Sequence, residues 1–353
     1  ACSRTARRRR RARAAASARP RRRPLRQRRR RHRQWSQRSS PSASVAKAVA
    51  ASGEVRSWSV TGWSPSPNSG SNHSIFELSF RASPGGFGVQ FRAPGPRFEC
   101  EVLETDDELG STPQTYLKLH LLSHRLVQPN SLNLEGLFGI LPNVAWTNVG
   151  AVDPEELDLV QLNARIKGRV VEVASVDKFP KMSNYVVPSG VRIAHSARVR
   201  LGAYLGEGTT VMHEGFVNFN AGAAGPNMIE GRISQGVTIG SGTDIGGSAS
   251  TAGTLSGGGN TLITIGQECL ISANAGTGIP LGDRCTIEAG LYITPGTLVQ
   301  VMDEKKKKVE VVKARDLAGH SDMLFLRNSQ TGVVECRSNR KAIELNKILH
   351  ANK

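Results

Sequence analysis

The spacing of aliphatic residues between positions 187 and 301 is the feature that most constrains the fold of this 353-residue chain. Six of them follow one another at intervals of six without a miss: Val187, Ile193, Val199, Leu205, Val211 and Val217. The same interval returns further along the chain in three groups: Ile239 and Ile245; Ile265 and Ile271; Leu281, Ile287, Ile293 and Val299. Neither an α-helix nor an ordinary amphipathic strand has a period of six residues.

A short strand followed by a tight turn, with one inward aliphatic side chain per strand, explains this interval. Three such strands form one coil of about eighteen residues, and stacked coils bury columns of aliphatic side chains. Glycine often follows the aliphatic residue, as at Gly206, Gly240 and Gly266, where corners need backbone angles that other residues resist. Residues 181–301 are therefore predicted to form a left-handed parallel β-helix, which makes the chain mostly β.

Two segments, residues 219–236 and 247–262, interrupt the six-residue interval. We expect both to project from the coils as insertions. Insertions on a solenoid tend to carry function. Gly257, Gly258 and Gly259 in the second segment resemble a phosphate-binding loop. They lack a following Lys-Ser/Thr and a strand–helix context, so we interpret them as a tight turn close to a ligand.

Flanking the repeats, residues 73–180 are predicted to form a small α/β domain and residues 302–353 a C-terminal extension that ends in a short helix. Asp153 followed by Pro154 is a typical helix start. A strand is predicted over residues 169–173. The spacing in residues 116–126 fits either a helix or a strand.

Charge divides the chain into two parts. It carries 47 Lys and Arg residues against 29 Asp and Glu residues, and 18 of the arginines lie in residues 1–40, which have no acidic residue. The remainder is formally neutral, which argues against a nucleic-acid partner for the folded part. Residues 1–72 have too few apolar side chains to form a core, so we expect a disordered Arg/Ser-rich targeting or linker segment.

An Arg-rich, Ser-rich and acid-poor N-terminus is typical of organellar transit peptides. It suggests import into a plastid or another organelle, although the predicted type of catalytic domain is otherwise cytoplasmic. An RNA-binding arm and a mistranslated upstream region are the alternatives. Because the chain begins at Ala1 rather than at Met, we expect the natural start to lie further upstream. No apolar run approaches the ~18 residues of a membrane helix, so no membrane partner is expected.

Metal and redox chemistry find little support among the cysteine and histidine residues. The five cysteines include no CxxC pair, and we expect Cys269 and Cys285 to be buried free thiols in a reducing compartment. A zinc hydratase of this fold needs three histidines, whereas the repeat region offers only His195 and His213. A nucleotidyltransferase needs a larger N-terminal domain than residues 73–180. The repeat fold alone does not choose among the remaining functions.

Several motifs together resemble the tetrahydrodipicolinate N-succinyltransferase family, in particular its actinobacterial and pseudomonad branch. The longest is Val211-Met-His-Glu-Gly-Phe-Val-Asn-Phe-Asn-Ala-Gly222. Shorter ones occupy residues 175–180, 185–192, 230–234, 253–259, 288–292 and 324–329. The similarity is strong over about residues 170–352, weaker over about residues 75–170 and absent over residues 1–72.

The resemblance implies an enzyme of lysine and diaminopimelate biosynthesis. It transfers the succinyl group of succinyl-CoA to the amino group of 2-amino-6-oxopimelate, the opened form of tetrahydrodipicolinate. The resemblance also implies a homotrimer with active sites between neighbouring β-helices and a magnesium ion on the trimer axis, whose ligands we cannot assign. The alternatives are another hexapeptide-repeat CoA-dependent N- or O-acetyltransferase and, in a different class, a scaffold or RNA-binding protein.

Glu214 is the catalytic carboxylate by this resemblance, either as a general base or as the carrier of an acyl anhydride. His213 is the alternative base. Arg198 and Arg200 are interpreted as surface charges on a coil.

Eight further residues are candidates for substrate or CoA binding. Arg232 and Ser234 suit carboxylates, small residues let a backbone amide approach pantetheine, and basic residues after the repeats suit CoA phosphates. The eight are Gly231, Arg232, Ser234, Gly257, Ser272, Ala273, Lys313 and Arg315.

Overall fold

The structure, a computed structural model, describes residues 106–253, 262–303 and 305–338 in full. Residues 56–65, 73–83, 86–92 and 100–103 are described by their backbone alone. The arginine-rich tail, Gly257 and the helix predicted in residues 340–350 lie outside these ranges.

The first four strands form an antiparallel sheet in the order β1-β2-β3-β4: Arg56–Pro65, His73–Ser83, Gly86–Arg92 and Cys100–Leu103. Strand β1 lies within the segment that the sequence analysis assigns to a linker. The alternation of Trp58 and Val60 with polar residues is a strand pattern, and the Ser, Pro and Gly residues that follow it concealed the signal.

A second group of elements precedes the repeats: α1 (Thr112–Ser123), α2 (Leu137–Ile140), β5 (Val144–Thr147), β6 (Gly150–Val152), α3 (Leu157–Ile166) and β7 (Val173–Asp177). The three strands form an antiparallel sheet in the order β6-β5-β7. The undecided segment at residues 116–126 lies mostly in helix α1. Ser111 caps this helix, because its hydroxyl accepts a hydrogen bond from the Gln114 amide at 3.4 Å.

Two predicted boundaries in this region are wrong. Helix α3 begins at Leu157, and Asp153 instead closes the turn before it by accepting a hydrogen bond from the Glu155 amide at 2.9 Å. The strand predicted over residues 169–173 is β7, Val173–Asp177, because a turn with Gly168 at φ 67° first separates it from α3.

The repeats wind through three parallel sheets, which the chain visits in rotation. At two places a single-residue bridge stands in for a strand: Val199 with Val217, and Leu281 with Ile265. The first sheet takes β8 (Arg192–Ile193), β10 (Thr209–Val211), β13 (Asn227–Ile229), β16 (Asp244–Ile245), β19 (Leu270–Ile271) and β21 (Thr286–Ile287). The second takes β11 (Phe216–Val217), β14 (Arg232–Ile233), β17 (Ser250–Thr251), β20 (Gly276–Thr277) and β22 (Tyr292–Ile293). The third takes β9 (Ala203–Leu205), β12 (Ala221–Ala223), β15 (Thr238–Ile239) and β18 (Thr264–Ile265). We call residues 192–293 the three-sheet solenoid.

In-register pairing aligns the inward side chains of successive coils. On the first sheet, for example, Val211 pairs with Ile229 and Ile229 with Ile245. These residues are buried and belong to one continuous hydrophobic core. The six-residue interval therefore predicted the sheets and their inward columns, except at Val187, which is 73% exposed and precedes the first solenoid strand.

The segment at residues 219–236 does not project, so this part of the insertion prediction is wrong. It contains β12, β13 and β14, whose inward residues are Ala223, Ile229 and Ile233. Ala223 is too small to count as aliphatic, and the step from Ile229 to Ile233 is four residues instead of six. The second interruption is shorter than predicted, because Thr251 in β17 still points into the core.

The chain leaves the solenoid through β23 (Leu298–Met302), β24 (Lys308–Lys313), β25 (Met323–Arg327) and β26 (Val334–Ser338). Strand β25 pairs in parallel with β21, so these strands continue the first sheet. Cys269 and Cys285 are buried free thiols, as predicted, and Cys336 is a third. Among the residues that the structure describes, no helix is both long and apolar enough to cross a membrane.

Candidate active site

The turn between the first and second sheets carries the predicted catalytic residue. Val211 ends β10 and Val217 lies in β11, and both point into the core. The residues between them, including His213 and Glu214, therefore form an outward corner. The carboxylate side chain of Glu214 is 70% exposed.

The same corner recurs in the coils that follow. It contains Gly231 after β13, and Ser272 and Ala273 after β19. We call this column of turns the first corner. It brings three of the predicted binding residues onto the edge of the solenoid that carries Glu214.

Both oxygens of the Glu214 carboxylate have partners. Nη2 of Arg198 lies 2.9 Å from Oε2 and also donates to the backbone carbonyl of Glu214 at 2.8 Å. Nδ1 of His213 lies 3.1 Å from Oε1. The ring of His195 meets the ring of His213 edge-on, with 5.1 Å between centroids.

These contacts lower the pKa of Glu214. The hydrogen bond with His213 is the largest cause, and the positive charge of Arg198 is the next. Because both stabilise the charged form, the carboxylate is ionised near neutral pH. The site thus presents an exposed and oriented anion.

Neither Arg198 nor Arg200 is an unengaged surface charge. Arg200 forms an ion pair with Asp177 at 2.7 Å and lies over the ring of Phe179, 4.9 Å from its centroid. The sequence analysis missed both the ion pair of Arg200 with Asp177 and the contact of Arg198 with Glu214. Arg198 lies sixteen residues before Glu214, close to the length of one coil, and that spacing was the available signal.

Gly231 is required by coil stacking, which differs from the predicted reason. A Cβ atom at this position would lie only 2.4 Å from the carbonyl oxygen of Ala249 in the next coil. The turn is also two residues shorter than the turn that carries Glu214, since Ile229 and Ile233 are four positions apart. The first corner is therefore shorter in the coil that follows Glu214.

Arg232 and Ser234 lie on or next to β14, one coil beyond Glu214. Arg232 is exposed and pairs in register with Phe216, two positions after Glu214. Its Nε and Nη2 atoms donate to the hydroxyl of Ser250 at 3.2 and 2.8 Å. The hydroxyl of Ser234 donates to the Thr251 carbonyl at 2.5 Å, so this hydrogen bond already joins two neighbouring coils.

The remaining candidates are less closely grouped. Ser272 is half-buried and Ala273 exposed at the first corner. Lys313 and Arg315 follow the solenoid, and Nε of Arg315 lies 3.4 Å from the carbonyl of Pro295, in the turn that leaves the second sheet. These two residues therefore lie at the opposite edge of that sheet from Glu214.

Within residues 106–253, 262–303 and 305–338, no group of three His, Cys, Asp or Glu side chains could hold a metal ion. The magnesium ion on the trimer axis stays a prediction.

Coils of short parallel strands with one inward aliphatic side chain per strand define a class of protein, the hexapeptide-repeat proteins. Residues 262–295 match the family model for the hexapeptide repeat of succinyl-transferase. Residues 141–181 match the model for the middle part of tetrahydrodipicolinate N-succinyltransferase.

Individual relatives narrow this class. The chain is 67% identical over 251 residues to the 2,3,4,5-tetrahydropyridine-2,6-dicarboxylate N-succinyltransferase of Pseudomonas paraeruginosa, a match that covers 71% of this chain and 73% of the relative. Its identity to the enzyme of the same name from Vibrio cholerae is 59% over the same shares.

A solved structure from Campylobacter jejuni, described as a 2,3,4,5-tetrahydropyridine-2-carboxylate N-succinyltransferase, is 38% identical with a TM-score of 0.64. That match covers 69% of this chain and 66% of the other. The chain belongs to the tetrahydrodipicolinate N-succinyltransferase family. The resemblance and the acyltransferase activity predicted from it are thereby confirmed.

Replacing Gly231 separates a stacking role from a ligand-approach role. We expect Gly231→Ala to lower the free energy of unfolding by roughly 1–3 kcal/mol, because the added methyl group displaces the backbone of the next coil. Urea unfolding at a fixed protein concentration measures this change.

Gly247→Ala is the matched control on the same corner. A Cβ atom there has Glu230 Oε2 as its nearest neighbour, at 3.7 Å, so the free energy of unfolding should stay within about 0.5 kcal/mol. Equal stability of the two variants would contradict the stacking account.

Proposed function

We propose that the chain transfers the succinyl group of succinyl-CoA to the amino group of 2-amino-6-oxopimelate, the opened form of tetrahydrodipicolinate. This reaction belongs to diaminopimelate and lysine biosynthesis. The observation that carries the proposal is the 67% identity to N-succinyltransferases that act on the same dicarboxylate. The oriented carboxylate at the first corner supports it chemically.

We also propose that the three-sheet solenoid is part of a left-handed parallel β-helix domain spanning residues 181–301. Residues 73–180, with strand β1 paired to β2, would form the N-terminal α/β domain, and residues 302–353 the C-terminal extension. The rotation of the chain among three parallel sheets supports this division.

Glu214 is the catalytic carboxylate in this proposal. As a general base it accepts the proton that the acceptor nitrogen loses while that nitrogen attacks the thioester carbonyl. As an acyl carrier it attacks the thioester carbonyl itself, the C–S bond breaks, and CoA leaves as the thiolate. The acceptor amine then attacks the resulting anhydride and regenerates the carboxylate.

The contacts of Glu214 bear on these two roles. Both roles need the ionised carboxylate that Arg198 and His213 favour, and the lowered pKa weakens Glu214 both as a base and as a nucleophile, so the roles must be separated by experiment. Mass spectrometry after mixing enzyme and succinyl-CoA without acceptor distinguishes the roles. A covalently bound succinyl group supports the carrier role, and its absence supports the base.

Both substrates carry carboxylates, and exposed cations near Glu214 suit them. The guanidinium group of Arg232 lies on the coil next to Glu214 and can offer a planar pair of donors. Ser272 and Ala273 extend the site along the first corner for the pantetheine arm. Lys313 and Arg315, at the far edge of the second sheet, suit the CoA phosphates.

The variant Glu214→Gln tests the proposed catalytic role of Glu214 directly. The substitution keeps the shape of the side chain but removes basicity and nucleophilicity, so kcat should fall roughly 100-fold or more while KM for succinyl-CoA stays nearly unchanged. Thiol release from succinyl-CoA in the presence of tetrahydrodipicolinate is the measurement. If the variant retains most of the wild-type kcat, Glu214 has a structural role instead. If only KM rises, Glu214 binds substrate and does not act in the chemical step.

We propose a homotrimer with sites between neighbouring solenoids. An exposed corner on one chain cannot enclose a ligand, whereas a second chain can supply the opposite wall. Exposed apolar side chains on α3, namely Leu159, Leu162 and Ile166, also support contact between copies.

Light scattering tests the oligomer. An active sample should have the mass of three chains, because the shared site exists only in the assembly. A monomer that retains full turnover would contradict the shared-site proposal.

Residues 1–55, which precede strand β1, are proposed to be a targeting segment, on the basis of their composition. Fused to a fluorescent reporter, they should direct it to an organelle, with a plastid as the first candidate. A diffuse cytosolic or a nucleolar signal would contradict import.

A further inference from the structure

We infer that Arg198 is the positioning residue for Glu214, which it holds in a fixed direction from the preceding coil. The inference rests on the proposed role of Glu214 as the catalytic carboxylate. One nitrogen, Nη2, contacts both the carboxylate and the backbone carbonyl of Glu214, at 2.9 and 2.8 Å. The arginine therefore fixes the side chain relative to its own turn.

Glu214 needs such a partner because its other hydrogen-bond partner, His213, is itself 71% exposed. The side chain of Glu214 is 70% exposed, and a free glutamate side chain has several rotamers of similar energy. A catalytic group must be held close to its productive geometry, since misplacement by about 1 Å can cost 100-fold in rate. The contact with Arg198 removes much of this freedom before substrate binds.

Arg198 is itself well anchored. It ends the 3-10 helix Ser196–Arg198 and directly precedes Val199, whose side chain is fully buried in the core. Val199 in turn bridges to Val217 in the coil that carries Glu214. Coil stacking thus sets the distance between the guanidinium group and the carboxylate.

Charge gives Arg198 a second effect. The groups that face Glu214 are Arg198, His213 and His195, and the guanidinium group of Arg198 is permanently positive. The pair presents no net charge to an approaching anion. An unpaired Glu214 would repel the carboxylates of both substrates.

The variants Arg198→Met and Arg198→Lys test the inference, with Arg192→Met as the control. Arg192 is an exposed arginine in the same coil that lies outside the proposed site. We expect Arg198→Met to lower kcat roughly tenfold or more, with KM for succinyl-CoA within about twofold. Arg198→Lys keeps the charge but not the guanidinium geometry, so it should recover part of this loss.

The pH profile of kcat/KM distinguishes the positioning role from a purely structural one, because an arginine that only stabilised the turn would not change this profile. Removing the cation raises the pKa of Glu214, so in Arg198→Met the acidic limb of kcat/KM should move to higher pH. In Arg198→Lys the limb should stay near its wild-type position. An unmoved limb in the Met variant overturns the inference.

Combination with Glu214→Gln gives the sharpest test. If Arg198 acts through Glu214, adding Arg198→Met to Glu214→Gln should cause no further loss of kcat. Additive losses, an unchanged kcat in Arg198→Met, or a rise in KM alone each overturn the inference. Thermal melts of every variant exclude unfolding, and if Arg198→Met does not fold, Arg198→Lys with wild-type kcat serves as the contradicting result.

This inference and the proposed function fail separately. A fully active Glu214→Gln variant removes the proposed catalytic role whatever Arg198 does. An inactive Glu214→Gln variant together with a fully active Arg198→Met variant leaves the function intact and removes only the positioning role.

Discussion

Stacking of coils is the constraint on which the rest of this structure depends. Each strand pairs in register with the strands of the coils before and after it, and the inward aliphatic side chains form continuous columns. The stacking is intolerant of bulk at several corners, as the 2.4 Å approach of Ala249 to a Cβ atom at Gly231 illustrates. Because in-register pairing stacks each coil directly on the next, an outward residue lies beside the residue one coil further along the chain, as Arg198 does beside Glu214.

The candidate site follows directly from this rule. Arg198 and Glu214 belong to successive coils and meet in an ion pair, and Phe216 and Arg232 adjoin on the second sheet in the same way. The carboxylate of Glu214, the guanidinium group of Arg198 and the shortened turn at Gly231 therefore lie on neighbouring coils, and coil stacking alone brings them together. A single edge of a repetitive scaffold thereby acquires an exposed carboxylate paired with an arginine.

Much of this could be predicted from the sequence, because a six-residue interval has few structural explanations. The predictions failed where the interval is hidden, as at Ala223 and at the four-residue step to Ile233, since a small inward residue gives no hydrophobic signal. A motif made Glu214 a catalytic candidate, whereas its contact with Arg198 was missed, because a contact between coils becomes visible only when the coil length is known. The stacking role of Gly231 likewise depends on an atom eighteen residues away, the Ala249 carbonyl.

The central claim is that this corner transfers a succinyl group to an amino dicarboxylate. The most direct measurement compares kcat/KM for succinyl-CoA and acetyl-CoA, with tetrahydrodipicolinate as the acceptor and thiol release as the signal. The account predicts a clear preference for succinyl-CoA and thiol release that depends on the acceptor. A preference for acetyl-CoA, or thiol release that tetrahydrodipicolinate does not stimulate, would contradict it.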